Sequence, residues 1–307
     1  MTGPRPAVYR DQDFPQDVVV YEVGPRDGLQ AEATLVPTDV KVRFIKELVG
    51  AGLPLVEATS FVSPKWVPQL ADAQEVLAEL GDLIRHPVLV PNMRGLERAR
   101  ESGVKSIAVF ASATETFAHR NLNAGRTAVC EMAAEVAAEA LRSGMTVRGY
   151  VSMCFGDPWE GAVETKAVAD VSRQLLDAGC YEISLGDTIG VATAAHVTAL
   201  VNEHVAAGVP LNRLALHFHD TYGQGLSNVL AGLRAGITCF DASTGGIGGC
   251  PFAGSATGNL AMEELLWLLH GLGISTGVDL DAVVRAGQTI TDFLGRPRSR
   301  IAMAMGH

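Results

Sequence analysis

The stretch ALHFHDTYGQGLSN, residues 215–228, contains the pattern that decides the fold. A short apolar run ends in polar residues, a glycine-containing turn follows, and a segment of helical period begins near residue 224. This is the pattern of a β-strand followed by an α-helix. His217 and His219 are two positions apart, so on a strand both imidazoles point to the same face.

The same strand-helix pattern recurs along the whole chain. Eight runs rich in β-branched residues predict strands that begin at residues 18, 53, 86, 106, 146, 181, 213 and 239. Helical periodicity predicts helices over 38–50, with Thr38 as N-cap, and over about 126–144, 160–178, 192–207, 224–235, 258–271 and 279–294. Eight such units in 307 residues favour an α/β fold, a (β/α)8 TIM barrel with extra C-terminal helices, as a single domain over residues 1–307. The alternative is an open doubly wound sheet, but no G-x-G-x-x-G follows the first strand.

Composition narrows the classes of partner and compartment. The net charge of −10 argues against nucleic acid or an anionic membrane as the main partner, although an anionic small molecule needs only a local cationic spot. Five cysteines without a C-x-x-C pair are typical of a reducing compartment. The most apolar stretch, LLWLLHGLGI from Leu265, is too short to span a bilayer. We therefore expect a soluble cytoplasmic protein with a polar N-terminal arm over residues 1–16.

A TIM barrel carries its chemistry at the carboxyl ends of its strands. The residues found there are Arg26 and Asp27 after strand 1, Glu57 at the end of strand 2, Asp187 after strand 6, and His217 and His219 on strand 7. Singly they have plainer explanations, such as a surface ion pair for Arg26 and Asp27 or a turn for Asp187. Glu57, inside an apolar run, needs a partner. Together, two histidines with carboxylates predict a divalent-metal site, without fixing which metal.

The segment STGGIGGCPFAGSATGN, residues 243–259, follows strand 8 and is dense in glycine, which predicts a mobile loop. Cys250 in its middle is placed to deliver or take a proton as the loop closes over the site. The alternative is a phosphate-binding loop with an incidental thiol, since barrels often bind phosphate after strands 7 and 8. Asn259 is the last residue of this loop. Its amide oxygen could be a further metal ligand, or the residue could cap the next helix.

Five stretches together resemble the 3-hydroxy-3-methylglutaryl-CoA lyase family, part of a metal-dependent barrel superfamily that includes isopropylmalate synthase. They are VGPRDGLQ (23–30), VEATSFVSPKWVPQLAD (56–72), LGDTIG (185–190), LHFHDTYGQGLSN (216–228) and GGIGGCPFAGSATGN (245–259). The resemblance extends from about residue 18 to residue 300. The cysteine loop is its most specific part, because the synthases are not expected to carry it.

The resemblance implies a role for each candidate residue. The implied ligands of Mg²⁺ or Mn²⁺ are Asp27, His217, His219 and Asn259. The implied catalytic residues are Arg26, Cys250, Glu57, Asp187 and His217, with Arg26 stabilising a thioester enolate, Cys250 as acid/base, and Glu57 and Asp187 supporting the site. The implied reaction is retro-Claisen cleavage of 3-hydroxy-3-methylglutaryl-CoA to acetyl-CoA and acetoacetate. The resemblance also implies a homodimer, the assembly typical of the superfamily.

The basic C-terminal tail, residues 295–307, contains the cluster GRPRSR with Arg296, Arg298 and Arg300. These cations could meet the phosphates of the CoA nucleotide, or they could be a solvated basic tail. Two segments depart from the family pattern, Asp157 in MCFGDPWEG and residues 114–126. Both follow barrel strands, where acyl-group selectivity would be set.

Three rival functions remain at the level of sequence. The nearest keeps the chemistry and changes the substrate to citramalyl-CoA or a 3-hydroxy-3-alkylglutaryl-CoA. An H-x-H metallohydrolase is less favoured, because its histidine pair would be expected on strand 1. A non-catalytic barrel is disfavoured by the complete set of site residues.

Overall fold

The computed structural model describes residues 5–81, 86–249 and 258–306, and the strands within them form one curled parallel sheet. The strands are β1 Val19–Glu22, β2 Leu55–Val56, β3 Thr59–Ser60, β4 Val88–Leu89, β5 Ser106–Ser112, β6 Thr146–Ser152, β7 Ile183–Asp187, β8 Leu214–Phe218 and β9 Cys239–Ala242. Their order is β2-β1-β9-β8-β7-β6-β5-β4-β3. Each predicted strand contains or overlaps an observed one.

The sheet closes because β2 and β3 are two halves of the second barrel strand. β2 pairs with β1 and β3 pairs with β4, which lie next to the two ends of the strand order. Between the halves, the Glu57 amide donates to the Glu22 carbonyl at 2.8 Å, and the Ala58 amide donates to the Pro87 carbonyl at 3.0 Å. The ladder therefore continues across the seam, and the predicted eight-stranded TIM barrel is confirmed.

Helices follow the strands and cover the outside of the sheet. They are α1 Thr38–Gly50, α2 Ala73–Leu80, α3 Met93–Glu101, α4 Glu115–Leu122, α5 Arg126–Arg142, α6 Thr165–Asp177, α7 Ala194–Ala206, α8 Gly225–Arg234, α9 Met262–Gly271, α10 Leu280–Leu294 and α11 Arg300–Ala304. The sequence patterns predict α1 and α5 to α10 and miss α2, α3, α4 and α11. The additional C-terminal helices are confirmed, with α10 packed against α1 and α11 against α9.

One local prediction about α1 is wrong. Thr38 is the first helical residue, and Pro37 occupies the N-cap position. The Thr38 hydroxyl donates instead to the Asp72 carboxylate at 2.8 Å. Proline before the helix supplies a pre-set backbone angle, so the helix begins without the predicted side-chain cap.

Side chains alternate along the strands between two layers. We call the residues packed between sheet and helices the outer layer. It belongs to the main apolar core and includes Val147, Leu185, Leu216 and Phe240. We call the alternate residues, which point into the barrel, the inner layer. It includes the small apolar groups around Tyr21 and around Leu89, together with Arg148, Tyr150, Ser184, His217 and Asp241.

Among the described residues, no helix is both long enough and apolar enough to cross a membrane.

Candidate active site

Three side chains that can bind a metal converge at the carboxyl end of the barrel. Asp27 lies in a short helical turn, Gly24–Gly28, directly after β1. His217 is on β8, and His219 follows its last residue. One ligand atom from each of these side chains lies within 4.8 Å of the other two. The imidazole centroids are 5.3 Å apart, which confirms the predicted common face.

Asn259 joins this group through both its backbone and its side chain. It forms an antiparallel bridge with His219, and its Nδ2 donates to Asp27 Oδ2 at 2.9 Å and to the Ile247 carbonyl at 3.3 Å. Its Oδ1 is buried without a hydrogen-bond partner among the described residues. The alternative role as a helix cap does not hold, because α9 begins at Met262 with Ala261 at the N-cap position. Asn259 therefore presents a free acceptor oxygen beside Asp27.

Two of the three side chains, His219 and Asp27, have protonation states that suit metal binding. Burial lowers the pKa of His219 to about 4, with the His217 charge adding to the effect, so His219 is neutral at pH 7. Burial opposes ionisation of Asp27, but Arg26 and the histidines outweigh it and lower its pKa to about 2. Burial likewise opposes the charge on His217, yet Asp241 and Asp27 raise its pKa. A neutral imidazole and an ionised carboxylate are the forms that bind a divalent cation, so His219 and Asp27 are in those forms, whereas the raised pKa of His217 means that metal binding there competes with a proton.

The charges around the site also fit a divalent cation. Next to the ligand group, Arg26 is ion-paired with both Asp27 and Glu57. One guanidinium therefore faces two carboxyl groups, and ionisation of both leaves one negative charge in excess in a largely buried cluster. Such an excess is costly without a counter-charge, and a divalent ion held by Asp27 and its neighbours would neutralise it.

Arg26 is buried next to this group, with 6% of its surface exposed. Its Nε and Nη2 lie 2.7 and 2.6 Å from Glu57 Oε2, and its Nη1 donates to Asp27 Oδ1 at 2.8 Å. Arg26 is thus the partner that the buried Glu57 requires. Because Arg26 is buried, its ion pair with Asp27 is not the surface ion pair that was the plainer explanation of these two residues. Burial raises the pKa of Glu57, and the Arg26 charge opposes that shift.

The sequence prediction missed three inner-layer residues that connect to this pair. The Tyr150 hydroxyl donates to Glu57 Oε2 at 3.2 Å and accepts from Arg148 Nη1 at 3.0 Å. Arg148, which is fully buried, donates to both Asp241 oxygens at 2.7 and 3.1 Å. A polar path therefore runs inside the barrel from Glu57 to Asp241. The available signal was an Arg and a Tyr two positions apart on a buried strand, which places both in one layer.

Asp187 ends β7, as predicted, but it turns toward the following loop. Its carboxylate accepts from the amides of Val191 at 2.9 Å and Ala192 at 3.0 Å. Asp187 shares the parity of Leu185, which is in the outer layer, and this explains why it faces the loop and not the metal ligands. Burial raises its pKa to about 7. Its supporting role stays a prediction.

Cys250 lies outside the described residues, so its role also stays a prediction. The described glycine two positions before it is held on both sides of its backbone. The Gly248 amide donates to Glu32 Oε1 at 3.1 Å, and Arg296 Nη1 donates to the Gly248 carbonyl at 3.2 Å. A Cβ on Gly248 would lie 2.8 Å from Asn259 Nδ2, so only glycine fits beside the ligand group.

The three arginines predicted to bind the CoA nucleotide are all ion-paired. Arg296 pairs with Glu32 at 2.9 Å, and Arg298 pairs with Asp292 at 3.0 Å. Arg300 lies 2.7 Å from Glu264 and 3.0 Å from Asp220. A nucleotide phosphate would have to compete with these carboxylates. Phosphate binding by this cluster stays a prediction.

The two segments that depart from the family pattern contact each other. The Thr114 hydroxyl donates to Asp157 Oδ2 at 2.6 Å, and Asp157 Oδ1 accepts from the Trp159 and Glu160 amides at 2.7 and 3.0 Å. The Arg120 guanidinium carbon lies 4.4 Å from the centre of the Trp159 ring. Asp157 is 3% exposed. Through its bond with Thr114 it connects the loop that follows β6 to the loop that follows β5.

Comparison with known proteins places these features in a family. A model of the HMGL-like family matches residues 17–290. The mitochondrial hydroxymethylglutaryl-CoA lyase of Arabidopsis thaliana is 50% identical over 95% of this chain, which spans 63% of that protein. A Pseudomonas aeruginosa protein named 3-hydroxy-3-isohexenylglutaryl-CoA/hydroxy-methylglutaryl-CoA lyase is 49% identical, with 95% of this chain and 98% of that protein covered. The crystal structure of hydroxymethylglutaryl-CoA lyase from the same organism superimposes with a TM-score of 0.92 at 49% identity, covering 95% of this chain and 98% of the other.

Proposed function

Because this chain belongs to the HMGL-like family, we propose that it is a divalent-metal-dependent acyl-CoA lyase that cleaves 3-hydroxy-3-methylglutaryl-CoA to acetyl-CoA and acetoacetate. The observation that carries the proposal is the convergence of Asp27, His217 and His219 beside the buried Arg26. A metal site next to a fixed cation suits a reaction that deprotonates a hydroxyl while negative charge develops on a neighbouring carbonyl.

Four side chains would hold the metal, which we propose to be Mg²⁺ or Mn²⁺. Asp27 and Asn259 supply oxygens, and His217 and His219 supply nitrogens. The bound ion would orient the substrate hydroxyl and ease loss of its proton. The oxygens favour magnesium or manganese, and the imidazoles are compatible with manganese.

Arg26 would stabilise the enolate that forms when the carbon–carbon bond breaks. Glu57 and Asp27 fix its guanidinium from two sides, so the positive charge is pre-oriented and needs little reorganisation during the reaction. Its low exposure strengthens its interaction with a developing oxyanion, because water does not screen it.

Cys250 would complete the proton balance. The substrate loses its tertiary hydroxyl proton, the bond between C2 and C3 breaks, and the bonding pair becomes the enolate of acetyl-CoA. The Cys250 thiol would donate its proton to the enolate carbon, and the thiolate would then take up the proton that the substrate hydroxyl released, so that no net proton is gained or lost. We expect Cys250→Ala to lose most turnover while Mn²⁺ affinity, measured by electron paramagnetic resonance, stays unchanged. Normal turnover in this variant would refute the role of the thiol.

The test of the whole proposal is direct. Purified protein is incubated with 3-hydroxy-3-methylglutaryl-CoA and Mg²⁺, with and without EDTA, and acetyl-CoA and acetoacetate are quantified. We expect rapid release of both products in equal amounts, abolished by EDTA and restored by excess Mg²⁺. His219→Ala should need much more metal for the same rate. Ester or amide hydrolysis without CoA would favour a metallohydrolase instead.

A second candidate substrate has a longer branch at C3. The Pseudomonas relative is named for both an isohexenyl substrate and the methyl one. The segments around Asp157 and Arg120 are those expected to set this preference. Competition between the two thioesters at equal concentration measures the preference as a ratio of kcat/KM, and a ratio favouring the longer chain would replace the first substrate.

Three finer points belong to the same proposal. We expect a homodimer, to be checked by light scattering, and a location in the cytoplasm, to be checked by fractionation. We also expect the cluster Arg296, Arg298 and Arg300 to contribute to CoA affinity. Arg298→Gln is the cleanest variant for that test, because Arg298 pairs only with an exposed carboxylate, Asp292, among the described residues.

A further inference from the structure

The metal-binding candidate His217 has a carboxylate behind it. His217 Nδ1 lies 3.5 Å from Asp241 Oδ2, which is a polar contact slightly too long for a good hydrogen bond. Nδ1 is buried, and no other atom of the described residues hydrogen-bonds to it. A buried ring nitrogen needs a hydrogen-bond partner, and a small rotation of the imidazole would bring Asp241 into range.

Asp241 is held more firmly than its contact with His217 requires. Arg148 donates to its two oxygens at 2.7 and 3.1 Å, and the Ser184 hydroxyl donates to Oδ2 at 2.7 Å. Both Asp241 and Arg148 are almost completely excluded from solvent. Arg148 is fixed in turn by Glu182, at 2.7 Å from its Nε, and by the face of the Tyr21 ring. The carboxylate therefore has a single orientation, with Oδ2 toward His217.

We propose that Asp241 is a positioning residue for His217 and that Arg148 fixes Asp241 for this purpose. An ionised carboxylate only accepts hydrogen bonds, so it selects the imidazole tautomer with hydrogen on Nδ1. That tautomer leaves the Nε2 lone pair free to bind a metal, and the hydrogen bond increases its basicity. This inference rests on the proposed metal site but concerns residues that do not touch the metal.

The experiment compares two isosteric variants that take one carboxylate each from the same arginine. Asp241→Asn removes the carboxylate facing His217. Glu182→Gln removes the other carboxylate that is ion-paired with Arg148 and is the matched control. Mn²⁺ dissociation constants are measured by electron paramagnetic resonance on each folded, metal-free variant. We expect Asp241→Asn to weaken Mn²⁺ binding by about 10- to 100-fold, as loss of an outer partner of a ligand usually does. Glu182→Gln keeps a side-chain oxygen that can accept from Arg148 Nε and leaves Asp241 in place, so its loss should be much smaller than that of Asp241→Asn.

Three outcomes would overturn the proposal, and they are distinguishable. Wild-type affinity in Asp241→Asn would refute the positioning role alone. Equal losses in both variants would show a field effect of the carboxylates and not an orientation of His217. Absence of Mn²⁺ binding in the wild-type protein would refute the metal site itself, and this inference with it.

A measurement on the unmodified sequence decides the case if Asp241→Asn does not fold. In the Mg²⁺-loaded, ¹⁵N-labelled protein, the His217 signals are assigned by comparison with His217→Gln. We expect a protonated Nδ1 with its hydrogen protected from exchange. An Nε2-protonated tautomer in the loaded protein would contradict the proposal.

Discussion

The two layers of this barrel differ in how they remove their side chains from water. The outer layer packs apolar residues such as Leu185 and Phe240 against the helices. The inner layer buries charges, and Arg148 is fully buried among Asp241, Tyr150 and Glu182. Outer-layer packing is non-directional and tolerates other apolar residues of similar volume. Every inner-layer charge, in contrast, needs a specific side chain of opposite charge or a hydrogen-bond partner. Stability and catalysis should therefore be separable by layer.

The largest expected effect is a fall in kcat, at Arg26, where the barrel interior meets the candidate active site at the carboxyl ends of the strands. Arg26→Gln removes the fixed cation, and loss of one such group typically lowers kcat by about 100- to 1000-fold. Glu57 is also left buried without its cation. Steady-state kinetics with 3-hydroxy-3-methylglutaryl-CoA provide the measurement, and Arg98→Gln, at a cation on α3 that stacks on Phe61, is the control. Near-normal kcat in Arg26→Gln would contradict the separation of the layers.

The outer layer should respond in the opposite way. Ile183 is fully buried at the start of β7 and lies against Gly149 of the neighbouring strand. Ile183→Ala should lower the free energy of unfolding by about 2–5 kcal/mol through the cavity it creates. Urea unfolding measures this loss, while kcat per folded molecule should be retained because Ile183 lies at the other end of the strand from the site. A large fall in kcat would show that the layers are coupled.

Two buried carboxyl groups sharpen the comparison through pH. Arg148 helps lower the pKa of Asp241 to about 2 against the effect of burial. Within the part of the chain that the structure describes, Glu263 in α9 accepts only backbone and hydroxyl hydrogen bonds, and burial raises its pKa to about 8. A raised carboxyl pKa means that the folded protein keeps a proton that the unfolded chain releases, so stability is lost as pH rises from about 4.3 toward 8.

Glu263→Gln should remove this pH dependence. Between pH 5 and pH 8 the variant should gain stability over the wild-type protein by about 3 kcal/mol. Urea unfolding at several pH values measures the difference, and Glu97→Gln at an exposed position of α3 is the control. A difference that stays constant with pH would mean that Glu263 is ionised in the folded protein.

The smallest expected effect is a small loss of stability on removing the Tyr150 hydroxyl, which connects Arg148 to Glu57. Tyr150→Phe keeps the ring and removes the group that bridges Arg148 and Glu57. The loss of such a hydrogen bond should cost about 1 kcal/mol of stability. Mn²⁺ affinity should not change, because the path through Asp241 to His217 stays intact. A weakened metal site in this variant would show that Tyr150 supports both halves of the site.

The sequence was most informative where a local pattern has one structural meaning. The alternation of strands and helices predicted the barrel, the spacing of His217 and His219 predicted their common face, and the apolar surroundings of Glu57 predicted a buried partner. The sequence could not identify the pairing of Arg148 with Asp241, because 93 positions separate them and only barrel closure brings β6 and β9 to the same interior. The sequence analysis did not predict the short helices α2 to α4, because eight or nine residues contain too few turns for a clear hydrophobic periodicity.

The burial of Arg148 has a consequence for how the chain folds. Its two carboxylate partners are Glu182, just before β7, and Asp241 on β9, so Arg148 has both counter-charges only when β6 to β9 have come together. A partly formed barrel that buried β6 without β9 would hold a dehydrated guanidinium without its Asp241 counter-charge, a state that is strongly disfavoured. We therefore expect the amide hydrogens of β6 and β9 to exchange with solvent in one concerted opening, measurable by native-state hydrogen exchange. The charge inside the barrel would thus couple the assembly of its last four strands.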